Sequence, residues 1–316
     1  MDKKDAERSG FIYGPVPSRR LGLSLGIDIV PVKICTLDCV YCQIGRTAVK
    51  DTVRRDFFDV QAVLSELKAI LGRGVEADFI TIGGSGEPTL NAQLGELIDG
   101  IRELTDIPVA IITNGTLLYR PDVRAECAKA DLVMPSLDAS DEAMFEAVNR
   151  PAPDISIETL ISGLVQFREE FAGQIWLEVF LIEGVNTGAE QIGRLRGHIE
   201  CIRPDKVQLN SAVRPVAEEG IKAMSQLRLE AIARQIGGDC EIVGAASGVH
   251  TDSHVQRTCE DVLSMLKRRP CTVDDICAGL GVNRHEAGRH VGYLLEQGWI
   301  TSECREGVTY YRSHSD

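Results

Sequence analysis

Three cysteines lie close together in the first part of this chain, and their spacing suits redox chemistry. Cys35, Cys39 and Cys42 form a C-x3-C-x2-C pattern, with Tyr41 directly before the third cysteine. Cysteine thiolates are the usual ligands of iron–sulfur clusters, and this spacing suits a [4Fe–4S] cluster held by three of them. Since a cubane contains four irons, three ligands leave one iron open to a small chelating ligand. We therefore predict an incompletely ligated cluster that can pass an electron to a bound molecule.

Two other interpretations of these cysteines are weaker. A structural zinc site takes four protein ligands, and nothing adjacent to the loop offers a fourth. A disulfide framework needs an oxidising compartment, whereas the opening residues Met-Asp-Lys-Lys-Asp-Ala-Glu-Arg contain no apolar region typical of a signal peptide. No apolar run approaches the roughly 18 residues of a membrane span. We therefore expect a cytoplasmic protein without membrane contact.

The composition is that of a globular protein with an acidic surface. The chain has 316 residues, 44% of them hydrophobic, and a formal net charge of −13. This length accommodates one large and one small domain. The charge disfavours general nucleic-acid binding, which depends on neutralising phosphates, but leaves room for a local basic patch. The cysteines outside the loop are expected to be small buried hydrophobes; those that could instead meet at a second metal site are Cys271, Cys277 and Cys304.

Apolar strands alternate with amphipathic helices through most of the sequence. The predicted strands are 23–29, 78–82, 109–112, 132–137, 175–182, 206–210 and 240–243. Apolar residues at helical spacing predict helices over 60–71, 94–104, 121–129, 157–170, 190–202 and 225–235. Alternation of this kind implies a parallel sheet. The number of units favours an α/β fold with a partial (β/α)6 TIM-like barrel, and a doubly wound open sheet is the alternative.

Candidate binding residues follow the carboxyl ends of these strands. The segment Gly83-Gly84-Ser85-Gly86-Glu87-Pro88 follows the second strand, and its small residues would let a ligand approach the backbone. The segment is neither a dinucleotide fingerprint nor a P-loop. Polar residues that end or follow later strands are Thr113, Asn114, Ser136, Asp138, Glu178, Gln208 and Asn210. Asn114-Gly115 is also a common turn pair, and Asp138 could cap the next helix.

The final part of the chain has a different pattern. Residues 244–257 are small and polar and are interpreted as a linker; His250 and His254 within it are either polar surface or residues that face a metal. Residues 258–316 predict helices over 259–267, 272–280 and 283–297, followed by a strand pair over 300–312. This order resembles a winged helix-turn-helix domain. The domain either docks to protein or contacts nucleic acid; the second interpretation would use Arg284, His285, Arg289 and His290 at the start of the recognition helix.

The cysteine loop and the glycine-rich segment together resemble the radical S-adenosylmethionine (SAM) superfamily. This resemblance implies a partial barrel whose cluster chelates SAM at the open iron. It also implies reductive cleavage of a carbon–sulfur bond in SAM and hydrogen abstraction from a substrate by the 5′-deoxyadenosyl radical. The cofactors supply that chemistry, and the protein supplies orientation. An external reductant such as ferredoxin or flavodoxin is expected as a partner.

The resemblance also implies roles for individual residues. The cluster would be held by Cys35, Cys39 and Cys42. SAM would be contacted by Tyr41, Gly83, Gly84, Ser85, Gly86, Glu87, Pro88, Asn114, Ser136, Asp138 and Glu178. The expected domains are a core over 1–243 with an extension at 1–22, a linker over 244–257 and a winged helix-like domain over 258–316.

A closer resemblance rests on Gly-Pro-Val-Pro-Ser-Arg-Arg-Leu-Gly at 14–22 and on the motifs at 35–47 and 84–90. It is to uncharacterised radical SAM proteins grouped near the tRNA wyosine-base synthetases and nitrogenase-cofactor maturases. The synthetases carry further cysteines upstream of this loop, and this chain has none before Cys35. Arg19 and Arg20 could clamp a phosphate or carboxylate or pair with the acidic surface. The function is thus predicted to be radical SAM catalysis on an unidentified substrate; a cluster-bearing DNA-binding regulator and an RNA-modifying enzyme are the alternatives.

Overall fold

The computed structural model describes residues 10–18, 20–212, 216–218, 220–243, 259–280, 282, 284–305 and 307–314. The predicted linker, with His250 and His254, lies outside the described residues, as does Arg19. Within the described residues, no helix combines the length and apolar character needed to span a membrane.

The main part of the fold is a mostly parallel sheet with helices between its strands. The strands of this part are β1 Ile12–Ser18, β2 Gly22–Ile27, β3 Ile34–Cys35, β4 Val49–Lys50, β5 Phe79–Ile82, β6 Val109–Ile112, β7 Leu132–Met134, β8 Gln174–Leu181, β9 Lys206–Ser211 and β10 Cys240–Ile242. The helices are α1 Val60–Leu71, α2 Leu94–Leu104, α3 Pro121–Cys127, α4 Glu142–Val148, α5 Ile157–Glu170, α6 Ala189–Ile202 and α7 Gln226–Ile236. Short polar side chains cap several helix starts, including Asp59 before α1 and Ser156 before α5.

The strand order confirms the predicted α/β barrel-like fold. The large sheet runs β1-β2-β5-β6-β7-β8-β9-β10, and only the β1–β2 pair is antiparallel. The order follows the chain without the reversal that defines a doubly wound sheet, so that alternative is wrong. Among the described strands, β1 and β10 are not paired with each other, and the barrel is therefore open.

Alternating side chains give the sheet two different faces. Val133, Leu177 and Leu209 belong to the large core that includes the helices. Their neighbours on the other face, such as Leu132 and Trp176, form a separate apolar cluster inside the barrel. Farther toward the carboxyl ends, the same inner face carries polar side chains. The barrel interior is therefore filled by apolar side chains at one end and lined by polar side chains at its mouth.

Three strands and one helix of this part were not predicted. β1 lies in the expected extension and pairs with β2. Its sequence was not recognised as a strand because it contains Pro15 and Pro17. Proline is tolerated there because β1 is an edge strand. The pair β3–β4 brackets the cysteine loop, with only two residues in each strand. The seven-residue helix α4 was also missed.

A smaller unit follows at the carboxyl-terminal end. It contains α8 Cys259–Arg268, α9 Val273–Leu280, α10 Arg284–Glu296, β11 Ile300–Arg305 and β12 Val308–Ser313. Its core is separate from that of the barrel. Thr272 and Asp275 form a capping box at the start of α9: Asp275 N donates to Thr272 Oγ1 at 3.0 Å, and Thr272 N donates to Asp275 Oδ2 at 2.9 Å. This order of three helices and a hairpin confirms the winged helix prediction.

Candidate radical SAM site

The cysteine loop is held by backbone bonds at both ends. Ile34 and Cys35 pair with Val49 and Lys50 through β3 and β4. Inside the loop, Cys42 N donates to the Cys39 carbonyl at 3.1 Å, forming a tight turn. The loop is also bonded to the end of α4, because Val40 N donates to the Val148 carbonyl at 2.9 Å. The three cysteines therefore project from an ordered loop.

Several N–H groups point at the cysteine sulfurs. Cys35 Sγ accepts from Leu37 N at 3.5 Å and from Asn114 Nδ2 at 3.4 Å. Cys39 Sγ accepts from Asn149 Nδ2 at 3.4 Å. Sulfur is a weak acceptor as a thiol but a strong one as a thiolate, and N–H bonds to sulfur tune iron–sulfur clusters. The donor set therefore fits thiolate ligands of a cluster.

Burial works against ionisation of the three thiols. It raises the pKa of Cys35 to about 12 and raises the pKa of both Cys39 and Cys42 above the usual range. Metal ligation reverses this preference, because a coordinating thiol is deprotonated outright. Among the described residues, no three His, Cys, Asp or Glu side chains are grouped closely enough for one metal ion. A cubane fits this spacing better, since each thiolate binds a different iron.

Glu87 connects the glycine-rich segment with the next strand end. Its buried carboxylate accepts from Thr113 Oγ1 at 2.6 Å, Asn114 N at 2.7 Å and Thr89 Oγ1 at 2.6 Å. It also accepts from Thr89 N at 3.1 Å, as the N-cap of a short 3-10 helix that begins at Pro88. Burial raises the pKa of Glu87, while these hydrogen bonds lower it. Glu87 and Pro88 are thus buried beneath the glycine-rich segment and hold its conformation.

Asn114 links the hydrogen bonds of Glu87 to the cysteine loop. Its Nδ2 donates to Thr36 Oγ1 at 2.8 Å as well as to Cys35. Its Oδ1 accepts from Thr116 N at 3.0 Å, which is the Asx turn expected of an Asn-Gly pair. Asn114 therefore forms the predicted turn, and the same side chain also contacts the cysteine loop.

The glycines bring the backbone close to the mouth of the barrel. An added Cβ on Gly84 would lie 2.7 Å from Asp28 Cγ, and one on Gly86 would collide with the Ile34 carbonyl. Ser85 is buried and donates through Oγ to Asp28 Oδ2 at 2.5 Å. Gly83 accepts through its carbonyl from another part of the chain, Tyr13 Oη, at 3.1 Å. Only Gly84 of this segment is exposed, so it is the member best placed to meet a ligand.

Tyr41 and Asp138 form a second link between the loop and the sheet. Tyr41 Oη donates to Asp138 Oδ2, and the Tyr41 ring stacks on Phe180 with centroids 3.9 Å apart. Asp138 Oδ2 also accepts from Asn149 Nδ2 at 2.8 Å, and its Oδ1 accepts from Phe180 N at 2.7 Å. Burial raises the pKa of both Asp138 and Tyr41. Asp138 does not cap α4, because the N-cap of that helix is Asp141.

The remaining predicted residues line the inner face of the later strands. Ser136, which follows β7, pairs with Glu178 of β8 through an isolated bridge. Glu178 forms an ion pair with Arg20, so Arg20 pairs with this protein's own carboxylate. Gln208 and Asn210 are buried; Gln208 Nε2 donates to Glu241 at 2.5 Å.

Asn149 was not identified from the sequence, although it contacts both Cys39 and Asp138. It lies just after α4, far along the chain from the cysteine loop. The Asn149-Arg150-Pro151 sequence, in which a polar amide precedes a helix-breaking proline, was a weak available signal. Asp28 was missed in the same way, as a buried carboxylate at the end of a strand.

Two predictions for the carboxyl-terminal unit are changed by the structure. His290 is buried, with Nδ1 3.0 Å from Cys259 Sγ, so it cannot serve on an exposed recognition surface. Arg284 is exposed and paired with Asp274. The second metal site is not supported: no three metal-binding side chains converge in the part of the chain that the structure describes, and the three cysteines there range from buried to exposed: Cys271, Cys277 and Cys304.

Comparison with known proteins agrees with this geometry. A model of the radical SAM superfamily matches residues 29–195, and a model of the MarR family matches residues 255–307. A UPF0026 protein of Methanocaldococcus jannaschii is 36% identical over 234 residues, which cover 73% of this chain and 72% of that one. A UPF0026 protein of Helicobacter pylori strain J99 is 30% identical over 96% of this chain and 98% of its own length.

One further relative is much longer than this chain. It is named GTPase Obg, from Brachyspira hyodysenteriae, and is 37% identical over 303 residues; the match covers 95% of this chain but 45% of that protein. This chain contains no Gly-Lys pair, which a nucleotide-binding P-loop requires. We therefore infer no nucleotide binding by this chain from the name of that relative.

Solved structures share the fold at low sequence identity. A radical SAM methyltransferase from Sphaerobacter thermophilus superimposes with a TM-score of 0.50 and 17% identity, over 69% of this chain and 65% of that one. Streptococcus suis SuiB bound to S-adenosylmethionine gives a TM-score of 0.51 and 18% identity, over 71% of this chain and 51% of that one. At this identity the two structures support the fold alone. The superfamily model, which matches more than half of the chain, and the UPF0026 relatives show that this chain belongs to the radical SAM superfamily, whose cofactors are a [4Fe–4S] cluster and SAM.

Proposed function

We propose that this chain is a radical SAM enzyme that abstracts hydrogen from an unidentified substrate. The observation that carries the proposal is the continuous contact from Glu87 through Asn114 to Cys35, which joins the glycine-rich segment to the cluster loop. When bound, the cluster and SAM supply one-electron cleavage of a carbon–sulfur bond. Cys35, Cys39 and Cys42 would hold the cluster. We assign this reaction to residues 1–243 and treat 258–316 as an accessory winged helix domain joined through 244–257.

The residues around the loop have three tasks in this proposal: they support the ligand sulfurs, face SAM, and hold the loop and the glycine-rich segment in place. Asn114 and Asn149 donate to the ligand sulfurs and so hold their orientation and stabilise negative charge on them. Gly84 and Ser136 present backbone and a small hydroxyl at the barrel mouth, where SAM would lie. Tyr41 and Asp138 lock the end of the loop against the sheet. Glu87 acts as a positioning residue, because it is buried beneath the segment.

The same proposal requires an external electron donor. We expect a small one-electron carrier such as ferredoxin or flavodoxin, because reductive cleavage of SAM consumes an electron that neither SAM nor the oxidised cluster supplies. Three unpaired thiols that must bind iron suit a reducing compartment. We therefore propose that the reaction occurs in the cytoplasm.

The test is SAM cleavage by anaerobically reconstituted and reduced protein. We expect formation of 5′-deoxyadenosine, and we expect its loss together with the bound iron when Cys35, Cys39 and Cys42 are changed to Ala. Cys201→Ala is the matched control, because Cys201 is exposed and lies on α6. It should keep both iron and cleavage. The proposal is wrong if wild-type protein with a full complement of iron forms no more 5′-deoxyadenosine than the triple variant.

The MarR family match supports nucleic-acid contact as a second candidate function. Either a cluster-dependent DNA regulator or an RNA-modifying enzyme would use such contact. Arg289 is exposed on α10, which is the recognition helix of a winged helix domain. Binding of full-length protein to duplex DNA and to structured RNA should fall steeply with salt and weaken in Arg289→Gln. If neither nucleic acid binds at low salt, this second function is excluded.

A further inference from the structure

The three cysteine sulfurs differ in how the protein supports them. Backbone N–H groups of the same loop donate to Cys35 Sγ and to Cys42 Sγ. Cys39 Sγ accepts instead from a side chain of a distant segment, Asn149 Nδ2, at 3.4 Å. A backbone donor within the loop moves with the loop, whereas the orientation of a distant side chain depends on its own partners. The support of Cys39 therefore depends on what holds Asn149.

The side-chain amide of Asn149 is oriented by Asp138. Asn149 is only 2% exposed, and its Nδ2 donates to Asp138 Oδ2 at 2.8 Å as well as to Cys39. Among the described residues, no group hydrogen-bonds to Asn149 Oδ1. If the amide turned over, its oxygen would face a carboxylate and a thiolate, which are both acceptors. The Asp138 carboxylate therefore determines that the N–H end of the amide faces Cys39.

Asp138 is itself held in place from two sides. It is buried, and its Oδ1 accepts from Phe180 N of β8 at 2.7 Å. Its Oδ2 accepts from Tyr41 Oη of the cysteine loop in addition to Asn149. Both carboxylate oxygens thus bind groups of this protein. This arrangement favours a positioning role for Asp138 over the SAM contact expected from the sequence.

Asp138 and Asn149 act on negative charge at Cys39 in opposite directions. Burial raises the pKa of Cys39 well above its ordinary value, and the charge of Asp138 raises it further. The hydrogen bond from Asn149 lowers it, because an N–H group stabilises the thiolate. Reduction of an iron–sulfur cluster adds negative charge, and hydrogen bonds to the ligand sulfurs are among the factors that set its potential. The Asn149 amide is therefore placed to favour the reduced state.

We infer that Asp138 and Asn149 form a relay that sets how easily the cluster is reduced. Asp138 is a positioning residue that fixes the Asn149 amide, and the amide stabilises the reduced cluster through its bond to Cys39. Outer hydrogen-bond partners orient the ligands of other metal sites in the same way. The inference rests on the proposed role of Cys39 as a cluster ligand and does not depend on cleavage of SAM.

The test is a redox titration of full-length reconstituted protein without SAM, followed by the electron paramagnetic resonance signal of the reduced cluster. Asn149→Leu keeps the size of the side chain and removes its donor. It should shift the reduction equilibrium about tenfold toward the oxidised cluster, as expected for loss of one hydrogen bond to a charged group. That shift is about 59 mV for a one-electron couple. Asn149→Ala should shift it in the same direction and replaces the Leu variant if that variant does not fold.

The relay itself is tested by Asp138→Asn in the presence and in the absence of Asn149. Loss of the carboxylate charge shifts the equilibrium toward the reduced cluster in both backgrounds. Release of the amide opposes that shift only where Asn149 is present. The effect of Asp138→Asn should therefore differ about tenfold between wild type and Asn149→Leu. Equal effects in the two backgrounds would show that Asp138 acts independently, which overturns the relay.

Asn91→Leu is the matched control, because Asn91 is also buried but its Nδ2 donates to the Ile29 carbonyl. Its potential should equal that of the wild type. An equal shift in Asn91→Leu, or an unchanged potential in the Asn149 variants, overturns the inference. Iron content and the thermal unfolding midpoint show that each variant keeps the cluster and the fold. Because the titration contains no SAM, protein that binds the cluster without cleaving SAM would refute the proposed function and leave this result unaffected.

Discussion

Replacing Glu87 with Gln tests whether the buried carboxylate organises the site. The substitution keeps the size of the side chain and changes one oxygen into an amide donor. An amide oxygen in place of Oε1 can still accept from Thr89 and from Thr113 Oγ1. The new NH2 group would face Asn114 N, which donates to Oε2 at 2.7 Å in the native protein. Two donors then oppose each other inside the protein.

The size of the effect follows from this geometry. Leaving one buried N–H without an acceptor costs about 1–3 kcal/mol. The remaining bonds to Oε1 lose their charge assistance, which roughly halves their strength. Relief of the burial penalty on a charged group acts in the opposite direction. We expect Glu87→Gln to lower the free energy of unfolding by about 2 kcal/mol at neutral pH, and to lower the affinity for the cluster because Asn114 loses its anchor.

The pH dependence of this effect has a defined sign. Burial raises the pKa of Glu87 in the folded protein above its ordinary value of 4.5. At pH values between 4.5 and the raised pKa of the folded protein, the folded state binds more protons than the unfolded state. The contribution of Glu87 to stability therefore falls as pH rises. The difference between wild type and Glu87→Gln should therefore be largest at acid pH and shrink as pH rises above 4.5.

Urea unfolding followed by fluorescence provides the measurement. The protein has two tryptophans, and Trp299→Phe would leave Trp176 in β8 as a reporter of the barrel. Glu103→Gln serves as the control, since Glu103 is exposed on α2 and should change stability by less than about 0.5 kcal/mol. Equal stability of wild type and Glu87→Gln would refute the proposed hydrogen-bond network. A difference that grows with pH would show that the hydrogen bonds outweigh burial.

Three further substitutions test two contacts near the site and one exposed position of a helix. Tyr41→Phe keeps the ring stack but removes the bond to Asp138, and should cost about 1 kcal/mol of unfolding free energy; no change in the urea midpoint would contradict that bond. Gly26→Ala places a methyl group inside the Tyr13 ring and should destabilise the protein by at least about 2 kcal/mol or prevent its folding; a stable variant would show that Tyr13 can move. Gly193→Ala on α6 meets nothing within 4 Å and should stabilise by about 0.5–1 kcal/mol, which thermal unfolding would confirm or disprove.

Local patterns allowed much of the fold to be predicted. Buried parallel strands are continuous apolar runs, and helices repeat their apolar residues every three or four positions, so both are visible in short windows. The cysteine loop and the glycine-rich segment are also short, and their chemistry follows from residue type and spacing. The order of these elements along the chain was enough to place them at one end of a parallel sheet. The winged helix prediction rested on the same kind of local evidence.

Contacts between distant parts of the chain could not be predicted. Asn149 donates to Cys39 across 110 residues of sequence, and Arg20 pairs with Glu178 across 158 residues. His290 shows the limit most clearly, because its helical position suggested an exposed recognition surface but packing buries it against Cys259. The face of a helix that is buried depends on which neighbour covers it.

Residue types and spacing alone were enough to propose Cys35, Cys39 and Cys42 as cluster ligands, because three thiols within one short loop have few other uses. Their surroundings were decided by the fold. The curvature of the sheet brings Asn114 to Cys35 and Asp138 to Tyr41. Such neighbours are set by the three-dimensional path of the backbone, which no short window of sequence contains.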